Sequence, residues 1–152
     1  MSARDEEAIR ALVVAYAEAL DAGDLDGVAG LFALGEFHSA RDGSVRRGRD
    51  EVRRMYDSVV LYDDGTPRTK HVLGNVVVDV DESNGSATAS CTFTVMQAAP
   101  GSPLQPVLAG RYVDRFARSG QAGEWRFTER TVHPDLLGDL RQHMAPRDHG
   151  RG

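Results

Sequence analysis

The chain divides into a first part with helical spacing of its apolar residues and a second part rich in strand-forming residues. Apolar residues recur at the helical period up to about residue 61, whereas Val, Thr, Phe and Tyr cluster from Lys70 onward between short breaks of Gly, Ser and Asn. A doubly wound parallel sheet needs helices and strands to alternate, so this order excludes one. The sequence therefore predicts an α+β domain in which N-terminal helices pack on an antiparallel sheet.

Three helices are predicted in the first part. The first begins at the start signal formed by Ser2 and Asp5 and ends near Asp21, and Asp24 caps a second, shorter helix. Apolar spacing predicts a third helix over Arg49–Leu61. The signal Asp42-Gly43 predicts a hairpin between the second and third helices, with strands at Phe37–Ala40 and Val45–Arg47.

Four strands are predicted in the second part, at His71–Asp81, Ser86–Gln97, Val107–Phe116 and Glu124–Val132. A two-residue turn at Asn84-Gly85 would place Ser83 opposite Ser86. In that register Val76, Val78 and Val80 share an apolar face, and His71 and Leu73 lie on the opposite, mixed face. A bulge in either strand would change this assignment.

The C-terminal residues are predicted to form a short helix and a tail. The helix is expected over Asp135–His143, and residues 145–152 are expected to be disordered. The single domain then spans residues 1–144. Since the whole chain has 152 residues and a mass of 16.5 kDa, one core of ordinary size is expected.

Charge and cysteine content limit the possible partners. With 18 basic and 23 acidic residues the net charge is -5, which fits a nucleic-acid backbone poorly. Cys91 is the only cysteine, so an intramolecular disulfide is excluded and a cytoplasmic location is expected. No run approaches the roughly 18 apolar residues that indicate a membrane span, so no membrane association is expected.

Four motifs in this order resemble the SnoaL-like branch of the nuclear transport factor 2-like superfamily. They are Tyr16–Asp24, Arg68–Asn75, Gly110–Asp114 and Trp125–Arg130, and the resemblance spans roughly residues 6 to 133. It implies a cone-shaped fold, in which the N-terminal helices pack on a strongly curved antiparallel sheet that encloses a pocket. The branch includes scytalone dehydratase, bile acid dehydratases and polyketide cyclases.

The resemblance also implies a catalytic pair. In the eliminating enzymes of this branch, an aspartate near the end of the first helix orients a histidine at the start of a strand, and the histidine removes a proton from the substrate. Asp21 and His71 are the matching residues, and Tyr16 matches a tyrosine five residues before the aspartate. Tyr56 and Arg130 are expected to contact the substrate.

Each of these residues also has a structural interpretation. Asp21 and His71 could simply end a helix and begin a strand. Tyr16 and Tyr56 lie on apolar helical stripes, where tyrosines commonly pack in the core. Arg130 could instead pair with an acidic neighbour; the candidates are Glu129, Asp114 and Glu36. Tyr112 and Asp114 are expected to serve sheet packing and a surface ion pair.

The predicted function is cofactor-independent proton abstraction from a small hydrophobic or polycyclic substrate, in secondary metabolism or catabolism. The reaction would be of the dehydratase, isomerase or cyclase type, that is, of a lyase or isomerase. No metal is expected, because His133, His143 and His149 lack a ligand spacing. A homodimer is expected, because helices leave the outer face of a bent sheet uncovered.

A non-catalytic role remains the alternative. The dehydratases of the branch carry a second acid or imidazole on the middle strands, and Ser90–Met96 offers no such group. The chain could therefore be a small-molecule-binding protein or a structural subunit resembling the small subunit of ring-hydroxylating dioxygenases.

Overall fold

The protein is described by a computed structural model that covers residues 3–120 and 122–145. The helices are α1 (Ala3–Asp21), α2 (Leu25–Gly30) and α3 (Gly48–Met55), and a 3-10 turn over Tyr56–Ser58 follows α3. The strands are β1 (Glu36–Ser39), β2 (Val45–Arg47), β3 (Thr69–Asp81), β4 (Ser86–Gln97), β5 (Gln105–Ala117) and β6 (Arg126–Leu137). The predicted α+β class is confirmed.

The six strands form one curved sheet in the order β2-β1-β6-β5-β4-β3. The prediction that the sheet is wholly antiparallel is wrong for one pair, since β1 runs parallel to β6. The other neighbours are antiparallel. The sheet is therefore mixed, and it does not close on itself.

The helices cover the inner face of the sheet. Along α1 the buried residues recur at the helical period and face the core; they are Asp5, Ile9, Val13, Tyr16, Ala17 and Leu20. Asp5 accepts hydrogen bonds from Arg118 Nη1 at 2.7 Å and Trp125 Nε1 at 3.0 Å. The helix start is thereby attached to the end of β5 and the segment before β6. The predicted cap Ser2 lies outside the described residues.

Glycine allows α1 to end close to the loop before β3. Gly23 has a φ of 75°, and a Cβ at this position would lie 2.0 Å from the Gly65 carbonyl oxygen. Both the backbone conformation and the close approach require glycine. The C-terminal end of α1 thus reaches the first residues of β3.

The β3–β4 register differs from the prediction by two residues. Asp81 pairs with Ser86, so the turn contains four residues, 82–85, rather than two. Because a shift of two residues preserves the face, Val76, Val78 and Val80 still point inward, as predicted.

A bulge changes the other half of β3. The register shifts between Gly74 and Val77, and Asn75 has a φ of 51°. This extra residue reverses the alternation, so that the buried Thr69 and the half-buried His71 and Leu73 share the inner face with Val76. The prediction that His71 and Leu73 lie on the opposite face is wrong for this reason.

The helix predictions are wrong at two places. The predicted helix over Arg49–Leu61 ends at Met55 and continues only as the 3-10 turn. The predicted helix over Asp135–His143 is replaced by the end of β6, where Leu136 and Leu137 pair with Ala109 and Leu108. The chain then turns at residues 141–143.

The predicted tail mostly lies outside the described residues. Ala145 is described, and its backbone N–H donates to the Ser58 carbonyl oxygen at 2.8 Å. In the described part of the chain, no helix is long and apolar enough to cross a membrane.

Candidate active site

Asp21 and His71 meet where the end of α1 contacts the start of β3. His71 Nδ1 donates to Asp21 Oδ1 at 2.6 Å, and the His71 backbone N–H donates to Asp21 Oδ2 at 2.8 Å. The hydroxyl of Thr69 donates to Asp21 Oδ1 at 2.9 Å. One carboxylate therefore fixes both the backbone and the ring of His71.

The local electrostatics keep Asp21 ionised. Burial raises the pKa of this carboxyl, but the hydrogen bonds from the His71 ring, the His71 backbone and the Thr69 hydroxyl outweigh burial and hold the pKa below its usual value. The side chain of His71 is 3% exposed and that of Asp21 is 13% exposed. A carboxylate beside Nδ1 favours the tautomer in which Nδ1 carries the proton and Nε2 has a free lone pair.

The other ring nitrogen of His71, Nε2, is available to accept a proton. Among residues 3–120 and 122–145, no hydrogen bond is formed to Nε2. An imidazole whose Nδ1–H is held by a carboxylate can accept a proton at Nε2, and the carboxylate stabilises the resulting cation. The geometry meets the requirements of a general base with an orienting partner.

Tyr16 and Tyr56 are brought together, but they lie deeper in the core. Their hydroxyl groups are hydrogen-bonded to each other, and the two residues are 3% and 7% exposed. Burial is the main cause that raises the pKa of both hydroxyls, that of Tyr56 well above its usual value. Both tyrosines are therefore neutral phenols near neutral pH.

Arg130 is fully buried and paired with Asp114. Its Nε and Nη2 donate to the two carboxylate oxygens at 2.7 and 2.8 Å, and both side chains are 0% exposed. The guanidinium carbon lies 4.3 Å from the ring centroid of Tyr16 and 3.8 Å from that of Tyr112. The expectation that Asp114 forms a surface ion pair is wrong, because residue 114 faces inward on β5.

The five predicted site residues thus form two groups. Asp21 and His71 form the dyad at the α1–β3 contact, and Tyr16, Tyr56 and Arg130 form a packed polar group inside the core. Two open surface clefts of about 680 and 390 Å³ lie elsewhere, one against α3 and one on β4 and β5. None of the five residues lines either cleft.

One further buried histidine outside these two groups was not identified from the sequence as a site residue. His143 lies in the C-terminal segment and is 4% exposed. Burial and the neighbouring His71 lower its pKa to about 4, although Asp21 acts in the opposite direction. Its place in a segment predicted to be helical gave no indication that it would approach His71.

One cluster has a composition suited to a metal. Glu36, His38 and Glu129 offer three ligand atoms within 4.8 Å of one another. However, Glu36 already binds His38 Nε2 at 2.8 Å and Arg47 Nε at 3.0 Å. These ion pairs explain the cluster without a metal, and it lies on β1 and β6, away from the dyad.

The fold and the site together define a helix-covered curved sheet with an aspartate–histidine pair, and comparison with known proteins identifies its family. Residues 1–131 match the SnoaL-like domain, and the chain belongs to this family. Among curated proteins, none matches the sequence.

Solved structures share the fold. A Mycobacterium tuberculosis protein of unknown function, Rv3472, is 27% identical with a TM-score of 0.72, over 90% of this chain and 79% of that chain. An NTF2-like protein with a cystatin-like fold from Novosphingobium aromaticivorans is 24% identical with a TM-score of 0.71, over 91% and 86%. A scytalone dehydratase candidate from the same organism is 22% identical with a TM-score of 0.69, over 89% and 87%. The predicted family and cone-type fold are confirmed.

The buried neutral His143 predicts a loss of stability in acid. Its pKa rises from about 4 in the folded protein to about 6.5 on unfolding, so the unfolded state binds more protons between these values. The stabilisation is complete above pH 6.5 and is lost as the pH falls through 4, and it amounts to about 3 kcal/mol. Urea unfolding from pH 7 to pH 4 should show this loss in the wild type and a smaller loss in His143→Leu.

The control for this measurement is His38→Leu, which removes an imidazole from β1, four strands along the sheet from β3. It should retain more of the acid sensitivity of the wild type than His143→Leu does, since it changes only the solvent-accessible pair with Glu36. An equal loss of unfolding free energy in wild type and His143→Leu would show that His143 is not the group responsible.

Proposed function

We propose that this protein is a cofactor-independent enzyme that removes a proton from carbon next to an activating group, such as a carbonyl. The observation that carries the proposal is the 2.6 Å hydrogen bond from His71 Nδ1 to Asp21, which leaves Nε2 without a hydrogen bond in the described part of the chain. The outcome of abstraction would be elimination, isomerisation or ring closure. The family match supports a small-molecule reaction of the lyase or isomerase type.

The roles of the two residues follow from their positions. His71 accepts the proton at Nε2, and Asp21 fixes the ring and stabilises the imidazolium that forms. The low exposure of both side chains strengthens this electrostatic interaction, since little water screens it. Electrons from the broken C–H bond move toward the activating oxygen. In an isomerisation His71 then returns the proton to another carbon, and in an elimination the electrons expel the leaving group, to which His71 gives the proton.

The tyrosines and Arg130 are proposed to act at the deep end of the binding site. The Tyr16 hydroxyl is held by Tyr56, and the Arg130 charge lies against the Tyr16 ring. A substrate oxygen would replace the Tyr56 hydroxyl as the hydrogen-bond partner of Tyr16. It would accept from the Tyr16 hydroxyl, which the nearby charge of Arg130 polarises. The aromatic surroundings favour a small hydrophobic or polycyclic substrate.

A second candidate is a non-catalytic binding protein or subunit. The observation that favours it is the packing of Tyr16 and Tyr56, whose hydroxyls satisfy each other inside the core. In such a protein the dyad would serve to attach α1 to β3. The test of the catalytic proposal also decides this alternative.

The proposal predicts exchange of carbon-bound hydrogen. Wild-type protein should accelerate deuterium uptake by 1-tetralone, a bicyclic ketone, in D₂O, measured by proton NMR against buffer alone. His71→Ala should lose about 10²-fold or more of this rate, because the base is gone. Asp21→Asn should lower turnover strongly while KM changes little, because the amide retains size but not the charge that stabilises imidazolium.

His38→Leu serves as the matched control, because it removes an imidazole from β1, four strands along the sheet from β3. This variant should exchange 1-tetralone hydrogen at the wild-type rate. If wild type and His71→Ala accelerate exchange equally, the proton-abstraction proposal is wrong, and the binding or subunit role becomes the better account.

Two further features are proposed. The protein would act in the cytoplasm, where its buried free Cys91 stays reduced. It would form a homodimer through the outer sheet face, where Val72, Val77 and Val113 are 55%, 62% and 42% exposed. Light scattering at tens of micromolar should give about twice the mass of the chain, and a monomer mass at that concentration would contradict the dimer.

A further inference from the structure

The residues after β6 cover the end of the sheet that carries the dyad. Residues 140–145, called here the closing segment, run beside residues 58–62. The Val60 N–H donates to the His143 carbonyl oxygen at 2.9 Å, and the Ala145 N–H donates to the Ser58 carbonyl oxygen at 2.8 Å. The segment is therefore fixed by backbone hydrogen bonds on both sides of His143.

Side chains from the sheet hold the same segment. The Gln142 carbonyl oxygen accepts from Gln97 Nε2 at 3.0 Å and from the Tyr62 hydroxyl. Gln97 is the β4 partner of Thr69, whose hydroxyl donates to Asp21. The closing segment thus contacts the strand pair that carries the dyad.

His143 is buried and interacts electrostatically with His71 and Asp21, and one of its ring nitrogens is unused within the described ranges. Its Nδ1 is buried and has no hydrogen-bond partner among the described residues, and the residue is 4% exposed. Oε1 of the neighbouring Gln97 is likewise buried and unpartnered in the described ranges. Buried polar atoms are nearly always hydrogen-bonded, so these two atoms leave hydrogen-bonding capacity that a polar group of a ligand could use.

The two residues of the proposed reaction are also the titratable neighbours that shift the pKa of His143. His71 on β3 and Asp21 on α1 are the titratable groups that interact electrostatically with it. The closing segment thus adds a second imidazole to the site. This group is supplied from the C-terminal end of the chain, whereas the middle strand β4 offers none.

We propose that His143 is a further catalytic residue, a neutral hydrogen-bond donor to the substrate oxygen on which negative charge develops when His71 removes the proton. This inference rests on the proposed function. In the step, the C–H bond breaks and its proton moves to His71 Nε2. The electron pair forms a carbon–carbon double bond, and the carbonyl π electrons move to the oxygen held by the His143 N–H.

A neutral imidazole suits this role. Each neutral ring carries one N–H and one lone pair, and a donor that keeps its proton can stabilise an oxyanion without forming an ion of its own. Burial lowers the pKa of His143 to about 4, so its ring is neutral near neutral pH. Gln97 positions the donor through its bond to the Gln142 carbonyl oxygen.

The experiment compares His143→Leu and His143→Asn in the 1-tetralone exchange assay, together with thermal unfolding. Leucine removes the donor, so the exchange rate should fall at least about tenfold, because lost oxyanion donors are costly. Asparagine places an amide N–H near the position of Nδ1 and should restore the rate to within about threefold of wild type. Neither variant should lower Tm at pH 7, since removing a buried unpartnered nitrogen does not break a hydrogen bond.

The possible outcomes separate the two proposals. If His143→Leu exchanges at the wild-type rate while His71→Ala gives no exchange, the proposed role of His143 is wrong and the role of His71 as the base is retained. A lowered Tm and lost exchange in both His143 variants would assign His143 a structural role and also overturn the proposal. The control His38→Leu should keep the wild-type exchange rate; because it breaks the hydrogen bond to Glu36, it is compared for rate and not for Tm.

If wild-type protein gives no exchange, binding of 4-nitrophenol decides the role of His143 independently. Its hydroxyl can donate to His71 Nε2 while its oxygen accepts from His143, and phenolate absorbance reports the proton transfer. Binding at least about tenfold weaker in His143→Leu than in wild type or His143→Asn would support the donor role. Equal binding by all three proteins would contradict it.

Discussion

The carboxylate of Asp21 connects the last turn of α1 to the first residues of β3. It accepts hydrogen bonds from the Thr69 hydroxyl, the His71 backbone and the His71 ring. A Cβ at Gly23 would lie 2.0 Å from the Gly65 carbonyl oxygen, so only glycine lets the end of α1 approach the start of β3 this closely. The orientation of His71, and with it the availability of Nε2, depends on this one carboxylate.

Much of the fold follows from the sequence pattern. Helical spacing in the first part and alternation in the second predict the α+β class, and β4 begins and ends at the predicted residues Ser86 and Gln97. The four motifs predict the family and the meeting of Asp21 with His71, although 50 positions separate them. Local periodicity alone could not do this, since it says nothing about which distant residues touch.

Other features depend on tertiary context that a sequence pattern does not reveal. The bulge at Gly74-Asn75 turns His71 inward; glycine and asparagine favour such a bulge, but they also occur in regular strands and so do not fix its position. The continuation of β6 through Leu137 depends on pairing with β5, which overrides the helical preference of the C-terminal residues. Consequently the burial of His143 in the segment after β6 could not be foreseen. The buried pairing of Arg130 with Asp114 likewise depends on which way residue 114 faces across the sheet.

To act as the base, His71 must carry its proton on Nδ1 and keep Nε2 as an acceptor, and ring ¹⁵N NMR measures this tautomer most directly. At neutral pH the long-range ¹⁵N–¹H spectrum of wild type should show a protonated Nδ1 and an unprotonated Nε2 for His71. In Asp21→Asn this tautomer preference should weaken, because the carboxylate that accepts the Nδ1–H is gone. A His71 ring protonated on Nε2, or the same tautomer population in wild type and Asp21→Asn, would contradict the assignment of His71 as the base.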